Sequence, residues 1–184
     1  MENTLVAFVD GSYTINNPNK YGCGGILIEP NGNEVEFSYS RDNKDAVKLR
    51  NVAGECSSSM FAMSKAIEMG YKELIIYYDY IGVQAWITGE WKCKNDITKA
   101  YKNFYETHVK DRLIVKFVKV KGHSGNKYNE RADKLARKSL NIWYIRGGDL
   151  MLTADEIKQR LSTEDVIMFM EYFGADIGQM NDEY

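Results

Sequence analysis

The stretch Leu5-Val6-Ala7-Phe8-Val9, closed by Asp10-Gly11, is five apolar residues without a polar break. Such a run suits a strand covered on both faces, in the middle of a sheet. Outward from it, Ile26-Leu27-Ile28 leads through Pro30-Asn31-Gly32-Asn33 to Val35, Phe37 and Tyr39, which alternate with Glu34, Glu36 and Ser38. Alternation on both sides of Asn-Gly predicts a β-hairpin, so the first three strands are expected to be antiparallel. The period then changes. Ala53, Cys56, Met60, Met63 and Ile67 fall at helical spacing, with Gly70 as a stop. Leu74–Tyr78 is a second continuous run and again ends in an aspartate, Asp79. A helical stretch near 81–87, a basic Trp-containing segment, a helix over about 96–110 and a strand over 113–120 follow. A last helix starts near Asn126, with Ala132, Leu135, Ala136, Leu140 and Trp143 as its buried stripe. The order βββαβαβα predicts an α/β fold: a mixed five-stranded sheet with helices packed on it.

Composition excludes other classes. Three cysteines (Cys23, Cys56, Cys93), none close to another in sequence, argue against a disulfide framework or a zinc ribbon. No uncharged apolar run reaches the ~18 residues of a membrane span. The first residues carry no basic region before their apolar stretch, so no secretory signal is expected. The expectation is a cytoplasmic protein with no membrane contact. The net charge of −2 conceals an asymmetry. Residues 1–146 carry 22 Lys and Arg against 17 Asp and Glu, a net +5; residues 147–184 carry 2 against 9, a net −7. The shift falls at Gly147-Gly148, which suggests a basic body over 1–146 and an acidic extension over 147–184.

Four carboxylates stand out. Asp10 and Asp79 each follow an apolar strand, and sites form at the carboxyl ends of strands in sheets with parallel pairing. A carboxylate there is costly to bury unpaired. Glu55 and Asp133 lie near the expected starts of two helices, where an acid also complements the helix dipole. If the four converge, their repulsion calls for cations among them, and carboxylates with water are the ligands that hard divalent ions prefer.

The blocks Val9-Asp10-Gly11-Ser12, Tyr21-Gly22-Cys23-Gly24-Gly25-Ile26, Asn51-Val52-Ala53-Gly54-Glu55, Tyr78-Asp79, Val120-Lys121-Gly122-His123-Ser124-Gly125 and Asn129-Glu130-Arg131-Ala132-Asp133-Lys134-Leu135-Ala136 follow in this order. The chain resembles type 1 ribonuclease H over about residues 4–143. The resemblance implies the ribonuclease H-like fold and endonucleolytic cleavage of the RNA strand of an RNA–DNA hybrid, leaving 5′-phosphate and 3′-hydroxyl ends. It implies two Mg²⁺ ions, with Mn²⁺ as a substitute, held by Asp10, Glu55, Asp79 and Asp133, and it implies that His123 assists proton transfer or product release. Gly11, Asn17, Asn51 and Gly54 match positions that meet the RNA 2′-hydroxyls, and Trp91, Lys92 and Lys94 sit where some members carry a basic, Trp-rich extension. Trp86 reads as core. One departure is Tyr80, where the family often has a small hydroxyl or amide residue. A catalytically inactive hybrid-binding module and a retroelement-derived domain are the alternatives.

The extension matches none of these blocks. Thr153-Ala154-Asp155-Glu156 and Ser162-Thr163-Glu164-Asp165 read as helix starts, and Val166, Ile167, Phe169, Met170 and Phe173 as an apolar face. A helical tail is expected on a monomer, with a dimer or protein contact as the tail's other reading.

Overall fold

The computed structural model describes residues 3–122, 125–144 and 151–153. By its internal contacts the chain divides into two units, Met1–Leu140 and Asn141–Tyr184.

In the first unit β1 (Thr4–Tyr13), β2 (Tyr21–Ile28) and β3 (Glu34–Arg41) form an antiparallel meander. A 3₁₀ turn (Ala46–Leu49) leads into α1 (Asn51–Glu68) and then β4 (Glu73–Tyr78). Next come α2 (Gly82–Thr88), α3 (Asp96–Phe104) with a π turn over Tyr105–Val109, β5 (Ile114–Lys119) and α4 (Lys127–Lys138). The sheet order is β3-β2-β1-β4-β5, with β4 parallel to both β1 and β5. The mixed five-stranded sheet of the sequence reading is therefore present, and β1 is its central strand.

Position explains the composition of β1. Leu5, Ala7 and Val9 share one face and meet Leu74, Ile76 and Tyr78 of β4 in the main core, with Cys56, Ala62, Met63 and Ala66 of α1 and Trp86 of α2. On the other face Phe8 stacks between Tyr77 (ring centroids 4.5 Å) and Tyr128 of α4 (5.1 Å). Trp86 is buried, as expected. The Asn31-Gly32 turn closes the β2–β3 hairpin with Gly32 at φ +86, a conformation glycine adopts at no steric cost.

Three expectations need correcting. β1 does not stop at Asp10; it runs on to Tyr13 because β2 continues beside it, pairing Asp10 with Gly24 and Tyr13 with Tyr21. Glu55 and Asp133 do not lie in first helical turns: Glu55 is the fifth residue of α1 and Asp133 the seventh of α4, so dipole complementation does not account for them. Trp143 is not on the stripe of α4. That helix ends at Lys138, Asn141 takes φ +54, and Trp143 lies in β6 (Ile142–Tyr144) of the second unit. Asparagine tolerates the left-handed conformation that stops a helix.

In the second unit β6 pairs antiparallel with β7 (Met151–Thr153). The expected hinge at Gly147-Gly148, the expected helices beyond Thr153 and the apolar face at 166–173 lie outside the described residues.

Candidate metal centre

Parallel pairing of β1 with β4 ends at Phe8 and Tyr77. Asp10, within β1, and Asp79, just past the end of β4, each come two residues later, where the parallel ladder has ended. The third acid arrives from α1, pressed against β1 at a glycine seam. A Cβ on Gly11 would lie 2.1 Å from the Asn51 carbonyl oxygen and 2.4 Å from the Glu55 nitrogen, and one on Gly54 would lie 2.1 Å from the Gly22 oxygen. Helix and strand backbones touch because neither glycine carries a side chain there, and this places Glu55 beside Asp10. Asp10, Glu55 and Asp79 each offer a carboxylate oxygen within 4.8 Å of the others.

The electrostatics are unfavourable as they stand. Asp10 is 7% exposed and Glu55 1%. Burial first, then the charges of Asp79 and Asp133, raise the Asp10 carboxyl to about 8 from its ordinary 3.8, although the Gly11 N–H donates to Oδ1 at 2.7 Å. Burial, then the charges of Asp10 and Asp79, push Glu55 well above the usual carboxylate range. Glu55 Oε2 is buried with no hydrogen-bond partner. Removing charged oxygens from water and pointing them at one another is costly. A bound divalent cation offsets both penalties, so these residues suit one.

The sign of these shifts predicts a pH dependence. The Asp10 contribution to stability is fully present below about 3.8 and is lost as pH rises through about 8. Glu55 acts in the same direction. In thermal melts without metal, the protein is expected to melt lower at pH 8 than at pH 5.5 by at least about 2–4 °C, the change that one kcal/mol produces in a chain of this size. The Asp10→Asn variant should show a shallower slope, and an equal slope would contradict the assignment of the shift to Asp10.

Asp133 reaches Asp10 through its charge but is not one of the three clustered acids. It is ion-paired with Arg137 of its own helix at 2.7 Å. His123 lies outside the described residues. The loop before it does touch the site: a Cβ on Gly122 would come 2.8 Å from Asp79 Oδ2. Gly122→Ala is expected to displace that carboxylate, which swings at little cost. Turnover should therefore fall roughly 10-fold or more while the melting temperature stays within a degree or two, because sub-ångström displacement at a reacting centre costs rate rather than fold. Kinetics beside a thermal melt checks this.

The residues expected to contact substrate lie on several elements. Gly11 and Gly54 form the seam, and Asn51 is the exposed first residue of α1. Asn17 lies in the β1–β2 turn, its N–H donating to the Thr14 carbonyl. Trp91, 40% exposed, follows α2 with Lys92 and Lys94 exposed beyond it. Tyr80 does not take the part of a small hydroxyl residue. Its ring packs on Trp86 (5.9 Å) and Trp91 (6.2 Å), over a glycine, Gly82, whose Cβ would meet it at 2.3 Å.

Two supporting residues escaped the sequence reading. Ser58 accepts from the Gly24 N–H at 3.1 Å and donates to the Asp10 carbonyl at 2.9 Å, tying α1, β1 and β2 together behind the acid. Arg137 is the other. Their only signal was helical spacing, three residues after Glu55 and four after Asp133.

A ribonuclease H family model matches residues 2–141. The chain belongs to the ribonuclease H family. It is 32% identical to a ribonuclease H of Pseudoalteromonas translucida over 150 residues, 74% of this chain and 90% of that protein. It is 28% identical to a ribonuclease H of Chlorobium luteolum, with 76% and 97% covered. The fold matches ribonuclease H1 of Halobacterium salinarum (TM-score 0.61, 21% identity, 74% and 97% covered). It also matches LC11-RNase H1, solved in complex with an RNA/DNA hybrid (TM-score 0.55, 17% identity, 74% and 99% covered). Among the described residues, no helix of the chain is long and apolar enough to cross a membrane.

Proposed function

We propose that this chain is a metal-dependent endoribonuclease that hydrolyses the RNA strand of RNA–DNA hybrids. Family membership supports a nuclease of the hydrolase class. The observation that carries the finer reading is the convergence of Asp10, Glu55 and Asp79, two of them buried and one with an oxygen that no donor satisfies.

Asp10, Glu55, Asp79 and Asp133 would hold two divalent ions, Mg²⁺ or Mn²⁺, oxygen ligands being what these ions prefer. When bound, such ions activate a water and stabilise the charge that develops on the phosphoryl oxygens and on the leaving oxygen. The residues of the chain do the positioning. The Gly11 N–H fixes one oxygen of Asp10, and Ser58 fixes its carbonyl. The seam with β1 fixes Glu55. His123 would carry protons at the departing group. Breaking the bond on the 3′-oxygen side leaves 5′-phosphate and 3′-hydroxyl ends.

RNA differs from DNA by its 2′-hydroxyls, which are met in a wide, shallow minor groove. Gly11, Asn17, Asn51 and Gly54 would meet them with backbone groups and short amides. Trp91, Lys92 and Lys94 would pack against sugar and neutralise phosphate. The protein would work as a monomer in the cytoplasm.

One labelled RNA, presented single-stranded, as RNA duplex and as DNA hybrid, tests this on a gel. Cleavage of the hybrid alone, dependent on Mg²⁺ or Mn²⁺ and blocked by chelator, is expected. Binding without cleavage in either metal would make the chain a hybrid-binding module, and equal cleavage of all three would refute the hybrid specificity.

A further inference from the structure

Asn129, Asp133 and Arg137 follow one another at four-residue spacing along α4, so they share one stripe of the helix. Arg137 Nη2 meets Asp133 Oδ2 at 2.7 Å, with the two side chains 15% and 19% exposed. An acid four residues before a base is the favourable order on a helix, because the later side chain leans back over the earlier turn. Of the four acids, Asp133 alone is ion-paired among the described residues. It is also the one that stands outside the clustered three.

These two facts belong together. The guanidinium engages Oδ2 of Asp133, so bringing that oxygen to the other three acids takes something that competes with Arg137. Burial limits solvent screening of the pair, so the hold is firmer than at an open surface. We propose that Arg137 is a latch: it holds Asp133 apart from Asp10, Glu55 and Asp79 until a divalent cation takes that carboxylate over. The proposal rests on the metal reading above and makes Arg137 a positioning residue. With no ion, the guanidinium offsets one of four negative charges. With an ion, it competes, and the site binds metal less tightly than four unrestrained acids would. The planar fork of arginine suits this hold better than the ammonium of lysine.

The test uses the full chain, freed of metal, with Mn²⁺ as the probe in calorimetric titration and thermal melting in chelator as the second readout. Arg137→Gln is expected to bind Mn²⁺ ~3–10-fold more tightly than wild type, the factor that an ion pair of this kind controls. It should also melt lower in chelator and gain more on metal addition. In an Asp133→Asn background the gain in affinity should vanish, since nothing is left to release. Arg137→Lys should fall between wild type and the glutamine variant. Equal or weaker Mn²⁺ binding by Arg137→Gln overturns the latch and means that Arg137 orients Asp133 as a ligand. If Arg137→Gln fails to fold, Arg137→Lys decides, and unchanged affinity there overturns the proposal. If wild type takes up no Mn²⁺ and Asp10→Asn changes nothing, the metal reading itself fails and the latch falls with it.

Discussion

Asp10→Asn is expected to lower the rate of hybrid cleavage at least ~10³-fold, because on the proposed reading it removes a carboxylate that would hold the divalent ions and with it their stabilisation of transition-state charge. Asp10 is the acid whose proton affinity registers all three others of the group: the charges of Asp79 and Asp133 raise it and a hydrogen bond with Glu55 lowers it. The same substitution should leave hybrid affinity intact or tighten it, since on the proposed reading it removes an acid that would stand near the phosphate. It should also raise the melting temperature in chelator, because a buried acid under repulsion is replaced by a neutral isostere. Single-turnover cleavage, a binding isotherm and a melt on one preparation check all three. Near-wild-type cleavage would sink the assignment of the site.

Gly11→Ala is expected to damage the fold itself. Its Cβ would sit 2.1 Å from one backbone atom of α1 and 2.4 Å from another. Backbone within a helix cannot swing aside as a side-chain tip can, so α1 must shift as a body. Overpacking of this kind costs about 3 kcal/mol, which corresponds to a melting point lowered by about 6–12 °C in a chain of this size. The shift carries Glu55 with it, so the surviving folded protein should cleave on the order of 10²-fold more slowly. Gly122→Ala makes the contrast, since its clash is with a carboxylate tip. If Gly11→Ala melts with wild type, the seam is looser than described.

Sequence made the sheet legible where each strand carries its own signature. The unbroken run at 5–9 marks a strand buried on both sides, and Asn31-Gly32 marks the hairpin. Asn126 marks the start of α4, its side chain accepting from the Tyr128 and Asn129 N–H groups. Asp10 and Asp79 were legible too, because the position after a buried run has no use for an unpaired charge, whereas Glu55 and Asp133 on their helices stood out only through the resemblance. What depends on a partner was not legible. β1 runs past Asp10 only because β2 lies beside it. Trp143 has the right spacing for the α4 stripe, yet Asn141 turns the chain first. Ser58 and Arg137 look like ordinary helix polar residues until Asp10 and Asp133 are seen next to them. Tyr80 shows the same limit, since only the rings of Trp86 and Trp91 reveal why a large aromatic stands after Asp79.

The central place of β1 also dictates an order of assembly. Its β2 side is satisfied once residues up to about 41 have been made, by hairpin contacts between neighbours in the chain. Its other side remains an open edge until β4 is complete at Tyr78. Chains emerge amino end first, and unpaired edges invite wrong partners while they wait. The acids come from positions 10, 55, 79 and 133, spread over most of the first unit, so each early stage of synthesis holds too few of them for strong mutual repulsion. The clustered three are complete only once Asp79 has been made, and α4 then brings Asp133 with Arg137 already against it. The growing chain therefore meets the repulsion of the cluster only after the hairpin contacts of β1, β2 and β3 that help withstand it can have formed.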